Sequence, residues 1–137
     1  MKQISIFLAV LLFIQLGMTM GVGFRNSETG LALDSNGDGR VYSITPNGGP
    51  FQNWIIENTD NNALYLKNKA TQRYLESSFN GKVFTSPNKG NNQQKWRFDG
   101  LRIINVATQY ALDSFTDGSQ IATRPPHGGG LQKWVHF

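Results

Sequence analysis

Cysteine is absent from the 137 residues of this sequence. The absence excludes disulfide bridges from the fold and thiolate nucleophiles from any reaction. Apolar burial and hydrogen bonds must therefore supply all of the stability of the folded chain. We expect a domain that folds without redox assistance.

Side chains that perform catalysis are also scarce. The only histidines are His127, in a loop rich in proline and glycine, and His136, beside the C-terminal residue. The Gly-x-Ser-x-Gly motif of serine hydrolases does not occur. The carboxylates have structural roles in the repeat described below. We expect no enzymatic activity and no cofactor.

A metal site is not expected either. Residues 34–39 read Asp-Ser-Asn-Gly-Asp-Gly, which imitates the first half of an EF-hand calcium loop. That loop needs a bidentate glutamate at its twelfth position and a helix on each side. Thr45 occupies the twelfth position here, and the flanking sequence favours strands.

Long apolar runs are missing beyond the N-terminus. There, Lys2 precedes an apolar run over residues 4–16, and small residues follow at Thr19 and Gly21. This pattern predicts a secretory signal peptide over residues 1–21, because the run is shorter than the roughly 20 residues of a membrane span. We expect a secreted, extracellular protein with no membrane span and one domain over residues 22–137.

Charge of one sign is not concentrated in any segment. The formal net charge is +4, and the basic residues are scattered rather than run together. This mild excess does not indicate a nucleic-acid partner.

A repeated motif is the strongest pattern present. The triplets Gln52-Asn53-Trp54, Gln94-Lys95-Trp96 and Gln132-Lys133-Trp134 contain every tryptophan of the chain. They lie about forty residues apart, a period that indicates one structural unit used three times. The tryptophans are the natural core anchors, since each can bury roughly 150–250 Å².

Each unit carries the same signals ahead of its tryptophan. An asparagine precedes an acidic residue at constant spacing, in the pairs Asn26 and Asp34, Asn68 and Glu76, and Asn105 and Asp113. A turn follows at Asp38-Gly39, Asn80-Gly81 and Asp117-Gly118, where type I′ geometry would close a β-hairpin. No stretch of residues 22–137 has a helical period. The prediction is an all-β domain of three units with about four strands each.

These features resemble the ricin B-chain-type lectins, also called QxW carbohydrate-binding modules, over essentially all of residues 22–137. The resemblance implies a β-trefoil with twelve strands, arranged as a six-stranded barrel capped by three hairpins. Many members carry a pair of cysteines in each unit. This chain has Ala32, Tyr74 and Ala111 at one half of those positions, and Pro46, Pro87 and Pro125 at the other.

The resemblance also implies where glycans would bind. A family site combines a carboxylate that accepts sugar hydroxyls, an aromatic ring, an asparagine and a supporting glutamine. The usual asparagine is replaced by Phe51, Gln93 and Leu131, and the usual stacking position, at Ile44, near Thr85 or Ser86, and at Thr123, holds no aromatic residue. Tyr42 and Phe84 lie on the same strand face as that position and are candidate substitutes. The candidate carbohydrate-binding residues are Asp34, Tyr42, Asn47 and Gln52 in the first unit, Glu76, Phe84 and Gln94 in the second, and Asp113 and Gln132 in the third.

Two functions remain open from the sequence. The first is a non-catalytic lectin whose best pocket lies in the first unit, around Asp34. The second is a β-trefoil that has lost sugar binding and serves as a protein- or heparin-binding module, such as a protease inhibitor, a ligand or a toxin-attachment domain. The pairs Lys67/Lys69 and Lys82/Lys89 are the candidate basic patch for the second. An alternative role for the acids themselves is a turn carboxylate that caps backbone amides.

Overall fold

This computed structural model describes residues 21–137. They form thirteen short strands and three short 3₁₀ helices, and no α-helix occurs among them. The predicted signal peptide lies outside them apart from Gly21 and stays a prediction. No helix within residues 21–137 is long and apolar enough to cross a membrane. The strands are β1 (Gly21–Val22), β2 (Phe24–Asn26), β3 (Ala32–Ser35), β4 (Val41–Ile44), β5 (Trp54–Asn58), β6 (Leu64–Asn68), β7 (Tyr74–Ser77), β8 (Val83–Ser86), β9 (Trp96–Asp99), β10 (Arg102–Asn105), β11 (Ala111–Ser114), β12 (Ile121–Arg124) and β13 (Trp134–His136).

Six strand positions close into a barrel. β1 pairs with β5, β5 with β6, β6 with β9, β9 with β10, and β13 with β2, all antiparallel. The ring is completed by a hydrogen bond of 2.8 Å from the Trp134 backbone N–H to the Leu101 carbonyl. β1 and β2 are one barrel strand interrupted at Gly23, whose backbone bonds to Phe137. This interruption accounts for thirteen strands where the resemblance implies twelve.

Three hairpins cap the barrel and bond to one another in a cycle. They are β3–β4 in the first repeat, β7–β8 in the second and β11–β12 in the third. The Gly39 carbonyl accepts from Thr85, the Gly81 carbonyl from Thr123 and the Gly118 carbonyl from Ser43, each at 2.9 Å. The chain is therefore a β-trefoil with pseudo-threefold symmetry, as predicted.

The core lies inside the barrel and beneath the hairpins. Trp54, Trp96 and Trp134 are fully buried, which agrees with the core role predicted for them. Each indole N–H donates to a carbonyl of its own repeat's hairpin, on Leu33, Leu75 and Leu112 respectively, at 2.9–3.1 Å. Burying an indole without such an acceptor would cost free energy, so these bonds tie each barrel strand to its cap.

The repeated asparagines are structural. Asn26, Asn68 and Asn105 are each fully buried. The side-chain amide of each donates to the residue just before a Gln-x-Trp triplet, with acceptors Leu131, Phe51 and Gln93 at 2.8–2.9 Å. Their amide oxygens accept backbone N–H groups of the following turn. The sequence pattern located these residues without assigning their role.

One local prediction was wrong. The hairpin turns are not type I′, because only their glycines have positive φ: +94° at Gly39, +89° at Gly81 and +76° at Gly118. A type I′ turn needs two such residues; Asn61 and Asn62 supply them between β5 and β6, with φ of 58° and 60°. In each Gln-x-Trp triplet the strand begins at the tryptophan.

The glutamines lie in short 3₁₀ turns instead. These turns span Pro50–Gln52, Asn92–Gln94 and Gly130–Gln132. Each turn ends just before its strand and directs a buried glutamine side chain towards the hairpin of the same repeat.

Candidate functional site

The three acids occupy equivalent places in the cap. Asp34, Glu76 and Asp113 lie in β3, β7 and β11, where every residue is buried. The residues themselves are only 3–5% exposed. A carboxylate in such a place requires hydrogen-bond donors, because burial of an unsatisfied charge is strongly unfavourable.

The glutamine of each triplet is one of those donors. The side-chain N–H groups of Gln52, Gln94 and Gln132 donate to Asp34, Glu76 and Asp113 at 2.9–3.1 Å. Each glutamine thus holds the acid of its own repeat, as predicted. Each glutamine also donates to a carbonyl of the loop after the hairpin, on Thr45, Pro87 and Pro125.

The glutamine oxygen fixes a further residue, five positions earlier in each repeat. It accepts the backbone N–H of Asn47, Lys89 and His127 at 2.8–2.9 Å. This places three chemically different side chains at one position beside the three acids. The position is decisive for which acid remains available, and it could have been found by aligning the repeats on their glutamines.

The first repeat has an open cavity beside its acid. The cavity is about 360 Å³, and Asp34, Asn36 and Asn47 contribute polar groups to its lining, with Tyr42, Ile44 and Phe51 contributing apolar surface. The oxygen of Asn47 accepts the Gly49 N–H at 2.8 Å. Its amide nitrogen has no hydrogen-bond partner within residues 21–137 and can donate to a ligand.

Tyr42 supports Asp34 rather than forming a free stacking platform. It stands opposite Asp34 in the β3–β4 register, is half-buried, and its hydroxyl lies close to the Asp34 carboxylate. Burial raises the pKa of the Tyr42 hydroxyl, and the neighbouring Asp34 charge adds to this effect. The hydroxyl therefore stays protonated beside Asp34, and its oxygen can accept from a ligand.

Phe51 is the residue that sequence reasoning missed. It was noted only as the loss of an asparagine, yet its ring lines the cavity and is 45% exposed. Ile44, which is 41% exposed, lines the same cavity. An exposed aromatic ring beside a carboxylate is the combination that a sugar ring requires, so Phe51 is the better stacking candidate.

Asp34 keeps acceptor capacity for a ligand. Gln52 donates to it at 3.0 Å, and the Ser35 N–H and the Tyr42 hydroxyl lie near enough to favour its ionised form. An ionised carboxylate has about four acceptor sites, so sites remain for a ligand hydroxyl. Burial nevertheless dominates these interactions and raises the pKa of Asp34 above its ordinary value of 3.8.

The second repeat is closed by its own lysine. The Lys89 ammonium lies 3.1 Å from Glu76 and 5.7 Å from the centre of the Phe84 ring. Ser86 and Gln94 also hydrogen-bond to Glu76. Both the carboxylate and the aromatic ring predicted for this pocket are thus engaged by one side chain of the same repeat.

The acid of the third repeat is less engaged by its neighbours than Glu76 is. His127 Nε2 lies 3.6 Å from Asp113 Oδ2, and the Gly129 N–H donates to His127 Nδ1 at 2.9 Å. Because Nδ1 accepts, the neutral ring carries its proton on Nε2, next to the carboxylate. Ala122 stands opposite Asp113 in the β11–β12 register, at the position of Tyr42 and Phe84, so no aromatic ring faces Asp113 from β12.

The predicted basic pairs do not form one patch. Lys67 is paired with Glu57 at 3.0 Å and Lys89 with Glu76 at 3.1 Å. Of the four lysines, Lys69 and Lys82 form no ion pair within residues 21–137. The charge expected to attract heparin at these pairs is therefore halved.

Known structures support the fold assignment. The chain matches no protein-family model. A designed threefold-symmetric protein, ThreeFoil, superposes with a TM-score of 0.79 at 21% identity, over 85% of this chain and 96% of the design. The exo-β-1,3-galactanase 1,3Gal43A from Clostridium thermocellum superposes with a TM-score of 0.77 at 20% identity. That match covers 85% of this chain but 29% of the galactanase. At these identities the similarity establishes a shared β-trefoil fold and nothing finer.

Proposed function

We propose that this protein is a secreted, non-catalytic lectin of the ricin B-chain type, which binds neutral glycans in the first-repeat cavity. The observation that carries the proposal is the combination of Asp34, Asn47 and Phe51 around one open cavity. A sugar ring needs a hydroxyl acceptor, a hydroxyl-directed donor and an apolar face, and these three residues supply them in that order.

The galactanase adds indirect support. Its name says that it acts on a galactan, and a trefoil-shaped part amounting to 29% of its length matches this chain. Function does not follow from fold alone, so this likeness is consistent with a glycan ligand and does not identify the sugar.

The heparin-binding alternative is weaker at the residues first suggested for it. Two of those four lysines are neutralised by ion pairs. A neutral-sugar pocket and a polyanion surface differ in their response to salt, because screening shortens the Debye length from about 10 Å at 0.1 M to about 3 Å at 1 M salt.

A glycan-array screen at low and high salt, followed by titration of the best neutral glycan, tests the proposal. Asp34→Asn keeps the shape of the side chain and removes its charge, and charge-assisted hydrogen bonds contribute about 1.5–3 kcal/mol. We therefore expect affinity to fall at least about tenfold, which corresponds to about 1.4 kcal/mol. Phe51→Ala should weaken binding several-fold, since the stacked ring is lost.

Matched controls come from the other repeats. Glu76→Gln removes a carboxylate already occupied by Lys89, and Phe79→Ala removes a ring that is 68% exposed and does not line the cavity. Neither should change glycan affinity. The lectin assignment is wrong if the wild-type protein binds no neutral glycan at either salt concentration, or if Asp34→Asn binds as tightly as wild type.

A further inference from the structure

A second cavity lies where the three hairpins meet. Its volume is about 510 Å³, larger than that of the glycan pocket. Val41, Val83 and Ile121, which are equivalent residues of β4, β8 and β12, line it together. It is therefore centred close to the pseudo-threefold axis, and we name it the central cavity.

The rim of the central cavity is cationic. Arg40, Arg73 and Lys82 line it, and Asp38 is the one carboxylate among the lining residues. None of these three cations forms an ion pair with a carboxylate within residues 21–137, whereas Lys67, Lys89, Lys95 and Arg102 all do. Clefts lined by one sign of charge concentrate the opposite charge from solution.

The cations are unevenly placed around the axis. Arg40 and Lys82 are equivalent residues at the starts of β4 and β8, and the third equivalent is Gln120, which also lines the cavity. The positive charge therefore concentrates between the first and second hairpins. Arg73, in the turn before β7, adds a third positive charge to this side of the cavity.

Arg73 is held in place before any ligand arrives. Its guanidinium donates to the Thr85 carbonyl at 2.8 Å and to the Thr85 hydroxyl at 3.4 Å. The guanidinium lies against Gly39. A Cβ added at Gly39 would be 3.1 Å from Nη2 of Arg73 and 2.8 Å from the carbonyl oxygen of Thr85. A guanidinium held by neutral acceptors keeps its full charge and loses little freedom on binding.

The geometry points to a binding site for a tetrahedral oxyanion, a sulfate or phosphate group, in the central cavity. Arg73 offers a planar fork of donors that matches two oxygens of such a group. Lys82 and Arg40 approach from the two neighbouring hairpins, and Ser119, whose hydroxyl donates to Asp117 at 2.7 Å, lines the third side. Asp38 opposes binding but leaves a clear excess of positive charge.

The oxyanion site and the Asp34 pocket are distinct cavities that are connected by a third. A cavity of about 340 Å³ lies between them and is lined by Tyr42, Arg40 and Ser119. Tyr42 also lines the glycan pocket, while Arg40 and Ser119 also line the central cavity. A glycan bound at Asp34 that carries a sulfate could thus place the sulfate among these cations.

An NMR titration of the ¹⁵N-labelled protein with sodium sulfate and with sodium phosphate, against sodium chloride at equal ionic strength, tests the site. We expect saturable shifts of the Gly39, Arg40 and Lys82 amides and of the Arg73 side-chain N–H. Lys82→Gln should weaken sulfate binding about threefold or more, as for an exposed charge. Arg73→Gln should weaken it about tenfold, because it removes a bidentate donor.

Arg25→Gln is the matched control, because Arg25 is an exposed arginine of β2 outside the cavity, and its variant should bind sulfate like wild type. Lys82 is exposed and its replacement should not disturb folding, so Lys82→Gln decides the matter even if Arg73→Gln fails to fold. The proposal is overturned if shifts do not saturate, if they spread over all basic residues, or if Lys82→Gln binds sulfate as tightly as the control.

Two further arms identify the source of the oxyanion. A sulfated heparin tetrasaccharide that binds more tightly than sulfate, while its desulfated form does not, assigns the site to a sulfated glycan. Inorganic phosphate that binds more tightly than either assigns it to a phosphate group. Lys82→Gln should keep neutral-glycan binding and Asp34→Asn should keep sulfate binding, so failure of one site is distinguishable from failure of the other.

Discussion

Asp34 is the residue where stability and the proposed glycan binding oppose each other. The residue is 3% exposed, and burial raises the pKa of its carboxyl although Gln52, Ser35 and Tyr42 act in the opposite direction. A carboxyl whose pKa is higher in the folded than in the unfolded state binds more protons when folded. The free energy of unfolding therefore falls as pH rises from the ordinary pKa of 3.8 to the raised pKa of the folded state. An ionised Asp34 destabilises the fold at neutral pH, a common cost of a binding group.

Asp34→Asn should consequently raise the melting temperature at pH 7 while weakening glycan binding. The asparagine keeps an acceptor for Gln52 and removes the buried charge. The gap in melting temperature between the variant and wild type should shrink as pH is lowered through the raised pKa of Asp34 and should be smallest below 3.8, its ordinary value. Thermal unfolding of both proteins, followed from acidic to neutral pH, measures this gap. A variant that is less stable than wild type at neutral pH would show that the carboxylate stabilises the fold.

Glycan affinity should follow the same ionisation. Because the carboxylate is the hydroxyl acceptor, binding should decline as pH falls, and the midpoint should lie above 3.8 because the pKa of Asp34 is raised. Titrations of the best neutral glycan at several pH values give the midpoint. A midpoint at or below the ordinary value would mean that the group controlling binding is not Asp34.

At the scale of the hairpins, one glycine per repeat holds the cap together. Gly81 has a φ of +89°, and a Cβ there would lie 2.7 Å from the Thr123 carbonyl oxygen. Its own carbonyl accepts the Thr123 N–H at 2.9 Å. Gly81→Ala should therefore lower the free energy of unfolding by more than about 1 kcal/mol, the cost of a left-handed residue with a Cβ.

Gly37 provides the control for that substitution. It lies in the loop of the first hairpin and lacks the positive φ, and a Cβ added there would meet no other atom within 4 Å. Gly37→Ala should leave stability nearly unchanged in urea unfolding. Equal effects of the two substitutions would show that the cyclic bonds between hairpins contribute little.

The repeat predicted much of this element-level structure in advance. The constant spacing of Asn, acid, Gly and Gln-x-Trp indicated three hairpins and three buried tryptophans, because each signal depends on local geometry that recurs in each repeat. The turn type was missed, since Asp-Gly is compatible with turns other than type I′ and the contacts between hairpins decide which one forms. The central cavity was also missed, because Arg73 and Lys82 meet Arg40 only when two repeats pack together.

The candidate site was predicted in part for the same reason. Asp34 and Gln52 were located from spacing, and the structure brings them within 3.0 Å. Phe51 was misjudged because its ring reaches the cavity through the 3₁₀ turn, which sequence periodicity does not reveal. The closure by Lys89 depends on a side chain that folds back over Glu76 and Phe84, which spacing alone does not specify.

At the scale of the whole molecule, a symmetric backbone carries three unequal sites. Threefold repetition suggests three glycans per chain and a gain in avidity on a multivalent surface. The side chains at the position of Asn47 contradict that expectation: Lys89 occupies Glu76 at 3.1 Å, and His127 stands 3.6 Å from Asp113. We therefore expect the three repeats to differ in glycan binding despite the symmetry of the backbone.

The protein should accordingly bind about one neutral glycan per chain with measurable affinity, because Asp34 and the exposed Phe51 line one open cavity, whereas Lys89 occupies Glu76 and His127 stands beside Asp113. Isothermal titration calorimetry gives the stoichiometry, and native mass spectrometry checks it. Asp34→Asn should weaken this binding strongly, whereas Asp113→Asn, which alters the equivalent acid of the third repeat, should leave both stoichiometry and affinity unchanged. A stoichiometry of about three, or binding that survives in Asp34→Asn and is lost in Asp113→Asn, would move the working site away from the first repeat. The lysine closure of the second repeat would then need a different role, because a pocket that is blocked by its own ammonium group cannot contribute to avidity.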